Sequence, residues 1–201
     1  MLKVAAIQIA PVEGDFQGTM DKAVHWLDQA ASQGVKLAVF PEGYLPGYAD
    51  IQAAKGSGST EQLAEVLGSL DPVPGPATEI ISTKARQHGI VVAFGMLARD
   101  AQGGLPYNGS VLFDSDGSIA NVHKKVHLTP VYEADDFGPG DSFAVTKTSV
   151  GSVGNMICAD YTLPETSRIL AIKGARILCG SLAAFYHPDP ENRDKVRAMY
   201  I

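Results

Sequence analysis

Cysteine is scarce in this chain. Cys158 and Cys179 are the only two in 201 residues, and they form no Cys-x-x-Cys pair. A disulfide framework and a zinc site therefore lack support. Positive charge is thin as well, with 16 Lys and Arg against 22 Asp and Glu. No basic block stands out, which argues against nucleic acid or an anionic membrane as a partner. No apolar run reaches the length of a membrane span. The opening stretch MLKVAAIQIAPVEGDF lacks the shape of a signal peptide, so the cytoplasm is the expected compartment. Internal repeats, low-complexity tracts and linkers are also missing. With 45% hydrophobic and 19% charged residues, residues 1–201 are expected to form a single domain with a sizeable core.

What is present alternates between strand and helix patterns. KVAAIQIA (3–10), VKLAVF (35–40) and IVVAFGML (90–97) are apolar runs that predict buried strands. A helix is expected from near Thr19 to a stop at Gly34, with Met20, Val24, Leu27 and Ala31 on its apolar face. Such a strand–helix–strand unit implies parallel pairing. Residues 60–70 and 77–89 predict two further helices. Residues 107–128 predict a hairpin turning at Asp-Ser-Asp-Gly (114–117), and 152–158 and 175–181 predict strands. The class is α/β with a partly antiparallel sheet. DPENRDKVRAMYI (189–201) begins as a helix should, with Asp189 as N-cap and Pro190 next, and reaches Ile201 without a stop signal.

Three stretches carry candidate chemistry. In ICADYTLPE (157–165), Cys158 ends a strand and a capping box of Thr162 and Glu165 is expected to start the next helix. A thiol near a helix N-terminus would be biased towards thiolate; the alternative is a small buried hydrophobe, the role assigned to Cys179. In VFPEGYLPGY (39–48), Glu42 follows a buried strand among Phe40, Tyr44 and Tyr48. It is either a desolvated general base or a loop-solvating carboxylate. In HKKVHLTPVYEADDFGPGDSF (123–143), alternation along a strand lets only one of Lys124 and Lys125 face a pocket. A buried lysine could stabilise an oxyanion; the plainer reading is a lysine-decorated edge strand.

Together these stretches resemble the nitrilase, or carbon–nitrogen hydrolase, superfamily. The matching motifs are AVFPEGYLPGY, HKKVHL followed by YEADDFGPGD, and GNMICADYTLPETSRILAIKGA, with KVAAIQIAPVEGD resembling the family's first strand. The resemblance implies a four-layer α-β-β-α sandwich, lacking its last C-terminal elements because members normally run several tens of residues beyond the equivalent of Ile201. It implies no cofactor and no metal. It assigns Glu42 as general base, Lys125 as oxyanion stabiliser, Cys158 as nucleophile and Glu133 as a positioning carboxylate, with the Ala159 backbone N–H assisting at the oxyanion. Tyr48 and Tyr132 are expected to line the substrate pocket.

Ala159-Asp160 after the cysteine resembles the amidase and carbamoylase branches more than the nitrilases, which tend to carry Trp-Glu there. The expected activity is hydrolysis of a small linear amide or N-carbamoyl compound through a cysteine thioester. The alternatives are a nitrilase and an inactive, shortened chain serving as a binding or assembly partner. A Cys-His hydrolase using His123 or His127 is a further rival. The segment PETSRILAIKGA resembles the region through which family members pair, so a homodimer or larger homo-oligomer is expected.

Overall fold

The longest apolar run sets the centre of the molecule. In the computed structural model, which describes residues 1–130 and 133–183, strand β3 (Val91–Ala98) is buried along its whole length. It has a strand on each side, helices on one face and a second sheet on the other. Its neighbours are β2 (Leu37–Val39), parallel to it, and β4 (Tyr107–Phe113), antiparallel. Strands β1 (Val4–Ala6) and β5 (Ile119–Lys124) complete a five-stranded sheet ordered β1-β2-β3-β4-β5.

Alternation along β3 divides the core. Val92, Phe94 and Met96 join Met20, Ala23 and Leu27 of helix α1 (Phe16–Ser32) and Ile81 and Ala85 of helix α4 (Pro76–His88). Val91 and Ala93 face the other way, packing with Leu37, Leu112, Val153 and Cys179 between the sheets. Cys179 is thus a core residue, 2% exposed. The second sheet holds β6 (Val145–Thr148), β7 (Gly151–Ile157) and β8 (Ile177–Ser181) in that order. On its outer side lies α6 (Pro164–Ile172), whose Leu170 packs with Phe143 and Met156. The layers run helix, sheet, sheet, helix, the α-β-β-α sandwich that the resemblance implies.

Several local expectations are corrected. Asp15, not a residue near Thr19, caps α1 by accepting from the Gly18 N–H at 2.9 Å. The buried stripe is Thr19, Met20, Ala23, Leu27 and Ala30, leaving Val24 and Ala31 half-buried at its margin. β1 is a three-residue edge strand with Val4 57% exposed, rather than a buried run over 3–10. Helix α2 (Ala49–Ser57) was not expected from the sequence, because it buries only Ile51 and Ala54 and carries no clear apolar stripe. It precedes α3 (Thr60–Gly68), which starts where the pattern predicts.

The expected capping box does not form. A single turn, α5 (Ala159–Thr162), follows β7, and the Thr162 hydroxyl donates back to the Ala159 carbonyl at 2.8 Å. The cause is Pro164: the residue before a proline is held extended, and Leu163 lies at φ −97°, ψ 116°, so the chain breaks there and α6 starts afresh. The predicted helix from Asp189 and the candidate pocket residue Tyr132 lie outside the described residues. Among the described residues no helix is long and apolar enough to cross a membrane.

Candidate active site

Glu42 reaches the interior because β2 is cut short. The ladder continues to the Phe40 N–H, which donates to the Ala93 carbonyl at 2.8 Å, and Pro41 then has no N–H to offer. The chain turns across β3 instead, and Gly95 leaves room for it. A Cβ at Gly95 would collide with the Pro41 carbonyl oxygen. The Tyr44 hydroxyl pins the turn by donating to the Thr19 carbonyl at 2.9 Å. Glu42 ends 4% exposed.

Lys125 comes from the end of the β4–β5 hairpin, where its N–H donates to the Asn108 carbonyl at 2.8 Å. As alternation requires, the paired lysines part. Lys124 lies over the Tyr107 ring and bonds Asp100 at the surface, whereas Lys125 is 1% exposed. Gly140 lets the following loop press against this hairpin; a Cβ there would meet the Lys124 carbonyl oxygen, and its N–H donates to the Lys125 carbonyl at 2.8 Å.

The Lys125 ammonium donates to Glu42 Oε1 at 2.7 Å and Glu133 Oε2 at 2.6 Å. Burial opposes its charge, but the two carboxylates outweigh that and hold its pKa above the ordinary lysine value. Burial likewise pushes Glu133 up. Lys125 overrides it, helped by bonds from the Thr129 N–H and Asn108, and Glu133 stays below the usual carboxylate range. Tyr48, at the start of α2, donates to Glu133 Oε1 at 2.9 Å and lies 3.4 Å from Glu42 Oε1. Burial first, then the two negative charges, raise its hydroxyl well above its ordinary value.

Cys158 arrives from the second sheet. It sits one residue past β7, not at the strand's end, with φ 42° and ψ −106°. It is the only non-glycine residue with positive φ among those described. Strain of this kind costs on the order of 1–3 kcal/mol and persists only where the surroundings enforce it. Here the Cys158 N–H donates to the Ser181 carbonyl at 2.9 Å and its carbonyl accepts from the Tyr161 N–H at 3.0 Å. The expected bias towards thiolate is overturned. Burial pushes the thiol up to about 12, and the charge of Glu42 and a hydrogen bond with it add to the rise, against an opposing pull from Lys125. The following N–H, that of Ala159, belongs to the first residue of α5, so no carbonyl of its own helix accepts it.

Two residues that sequence reasoning passed over complete the cluster. Asn108, fully buried on β4, directs its amide nitrogen at Glu42 Oε1 (2.9 Å), Glu133 Oε1 (2.6 Å) and the Tyr48 oxygen (2.8 Å). The signal was an asparagine inside the apolar run YNGSVLF. Asp160 stands out in the sequence only as the residue of the Ala159-Asp160 pair. It is fully buried, and its Oδ1 accepts from the Val126 N–H at 3.2 Å and the His127 N–H at 2.9 Å. Its Oδ2 accepts from the Ile157 N–H at 3.1 Å. One carboxylate thus ties the peptides after Lys125 to the peptide before Cys158. It also engages His123 Nε2 at 2.8 Å and His127 Nδ1 at 3.0 Å. Burial pushes Asp160 up, but His123 and these N–H groups hold it low. Both imidazoles are turned to Asp160 and stack on Phe143, and the side chain hydrogen-bonded with the Cys158 thiol is Glu42.

The arrangement brings a neutral thiol against a buried carboxylate that is itself paired with an ammonium. It can move a proton from sulfur to carboxylate while a cation waits for charge to develop. No group of three or more potential metal ligands occurs among the described residues.

Comparison with known proteins agrees on the family. A family model described as carbon-nitrogen hydrolase matches residues 3–196. A nitrilase of Paraburkholderia phymatum is 35% identical over 188 residues, covering 89% of this chain and 53% of its own. An (R)-stereoselective amidase of a Pseudomonas species is 33% identical over 177 residues, covering 88% of this chain and 58% of its own. A crystal structure of a carbon–nitrogen hydrolase from Helicobacter pylori superposes with a TM-score of 0.79 at 28% identity, covering 99% of this chain and 66% of that one. The chain spans little more than half the length of the two sequence relatives.

Proposed function

The chain belongs to the carbon–nitrogen hydrolase family, and from that premise we propose that it hydrolyses a small linear amide or N-carbamoyl compound through a thioester on Cys158. The observation that carries this reading is the buried contact of Glu42 with Lys125 at 2.7 Å beside a thiol whose pKa is raised by burial and then by Glu42. With the thiol's pKa near 12, almost no thiolate exists at neutral pH. The proton must leave as the bond forms, which calls for a base in contact.

In this mechanism Glu42 takes the proton from Sγ while sulfur attacks the carbonyl carbon and the carbonyl electrons move to oxygen. Lys125 and the Ala159 N–H hold that oxyanion. Collapse expels the amine, which receives its proton from Glu42 and leaves a thioester. Glu42 then takes a proton from water as the water attacks the thioester; collapse breaks the C–S bond, Glu42 returns the proton to sulfur, and the acid departs. Glu133 shares Lys125 with Glu42 and keeps the ammonium charged. Tyr48 lies at the edge of this cluster, where it would border a bound substrate.

A nitrile substrate is the second reading, favoured by the 35% identity to the Paraburkholderia nitrilase. Against it stands Ala159-Asp160 after the cysteine. A panel of short amides, N-carbamoyl amino acids and nitriles, assayed for released ammonia, separates them. Ammonia from the first two classes is the expected result. Ammonia from nitriles alone would favour the second reading. None from any class, with protein that melts cooperatively, would overturn both.

A further inference from the structure

Glu42 and Glu133 are two carboxylates with one lysine between them. Their Oε1 atoms converge on a single point, the amide nitrogen of Asn108, at 2.9 and 2.6 Å. Like charges this close push one group to take up a proton unless a donor stands between them. We propose that Asn108 is a positioning residue that keeps Glu42 ionised, and so fit to act as a base, by lending its N–H groups to the Oε1 atoms of Glu42 and Glu133, reinforcing Lys125 at Glu42. The inference rests on the function proposed above and deepens it.

Each carboxylate has other donors, and the amide nitrogen joins the two by bonding both Oε1 atoms. Glu133 has three other donors, Lys125, the Thr129 N–H and the Tyr48 hydroxyl. Glu42 has Lys125 at the same oxygen as the amide, the Ala183 N–H at the other, a hydrogen bond with the Cys158 thiol, and Tyr48 at 3.4 Å. Because the Tyr48 proton goes to Glu133, the Tyr48 oxygen accepts from Asn108, and the amide's two hydrogens serve three acceptors. The other end of the amide supplies an independent observation. Asn108 Oδ1 is buried without a hydrogen-bond partner among the described residues, a standing cost. The amide is therefore of use here through its nitrogen. Lys125, Glu133, Tyr48 and Cys158 are the titratable groups that face Glu42.

The test follows Cys158 alkylation by iodoacetamide across pH 4–9, resolved by peptide mapping, in the parent, Asn108→Leu, Asn108→Asp and Glu42→Gln. Hydrogen bonds to the charged form lower a carboxyl pKa, so their loss moves the acid limb upward. In Asn108→Leu the acid-limb midpoint should rise by about one to two pH units, the size expected of a charge-assisted hydrogen bond, while the high-pH plateau stays within about threefold. Asn108→Asp keeps the size and adds a third carboxylate, and its midpoint should rise at least as far. If the leucine protein does not melt cooperatively, Asn108→Ala takes its place, with the same upward shift expected. A folded variant whose midpoint matches the parent's, with the rate lowered evenly at every pH, would overturn the inference and mark Asn108 as merely structural. A Glu42→Gln protein that keeps the parent profile would instead overturn the role of Glu42, and the two failures are distinguishable.

Discussion

Glu42, Lys125 and Glu133 are carried by the five-stranded sheet and its loops, and every one of their four carboxylate oxygens has a hydrogen-bond donor. Cys158 is carried by the three-stranded sheet and is fixed by two backbone hydrogen bonds, a strained φ, and Asp160 two residues on. The contrast follows from charge. Three ionised groups removed from water must be paired before any substrate arrives, because an unpaired buried charge costs several kcal/mol. A neutral thiol needs only to be aimed. One half of the site is built by electrostatics and the other by backbone geometry. Asp160, which bonds N–H groups on both sides, is the rivet between them.

This difference can be broken from either side. The largest effect is expected at Lys125→Met, which leaves two buried carboxylates facing each other: about 3–5 kcal/mol lost in urea unfolding at pH 7. A loss below about 1 kcal/mol would mean that the cluster does not need its cation. Gly95→Ala should come next. Its Cβ meets the Pro41 backbone, so the Glu42 turn must shift, at about 1–3 kcal/mol, and turnover should fall on the order of a hundredfold from misplacement of the base. Normal turnover in that variant would show that the close approach does not set Glu42.

Acid should reach the two halves together. Glu133 and Asp160 are both held below the ordinary carboxylate range. Each adds stability that is present above its unfolded pKa and lost as pH falls through its folded value. Unfolding midpoints should hold from pH 7 to about 5 and decline below about 4; a flat profile down to pH 3 would contradict these pairings. The smallest effect is a gain. Cys158→Gly removes the strain of a side chain at φ 42° and should raise stability by about 1 kcal/mol, or about 2–4 °C in Tm, while abolishing turnover. A lower Tm would place the thiol's packing above its backbone strain.

Much of the scaffold was legible because its signals are local and strong. The run 90–97 had to be buried on both faces, the Asp114–Gly117 turn had to close a hairpin, and Gly89 had to end a helix. Helix α2 was not legible, since two buried residues in nine leave no periodicity to read. At the site, the two-residue alternation of a strand separated Lys124 from Lys125. The ionisation of Cys158 was misread because a helix start is visible in sequence, whereas the burial and carboxylates that oppose it come from chain far away. The role of Asn108 was hidden for the same reason, although an asparagine inside the apolar run 107–113 marks its position. Its three partners, Glu42, Tyr48 and Glu133, lie between 25 and 66 residues distant. Thr162 was misassigned for a different reason: Pro164 gives the second helix its own start.

The central claim is that Cys158, with Glu42 as its base, is the residue that becomes acylated. The most direct measurement mixes the protein with a small amide that the substrate panel shows to be turned over, quenches within one turnover in acid, and maps the acyl mass onto peptides containing Cys158 and Cys179. The account predicts the acyl group on Cys158 in the parent protein, none on Cys179, and none on either thiol in Glu42→Gln. Acylation of Cys179, or product formed with Cys158 replaced by alanine, would contradict it.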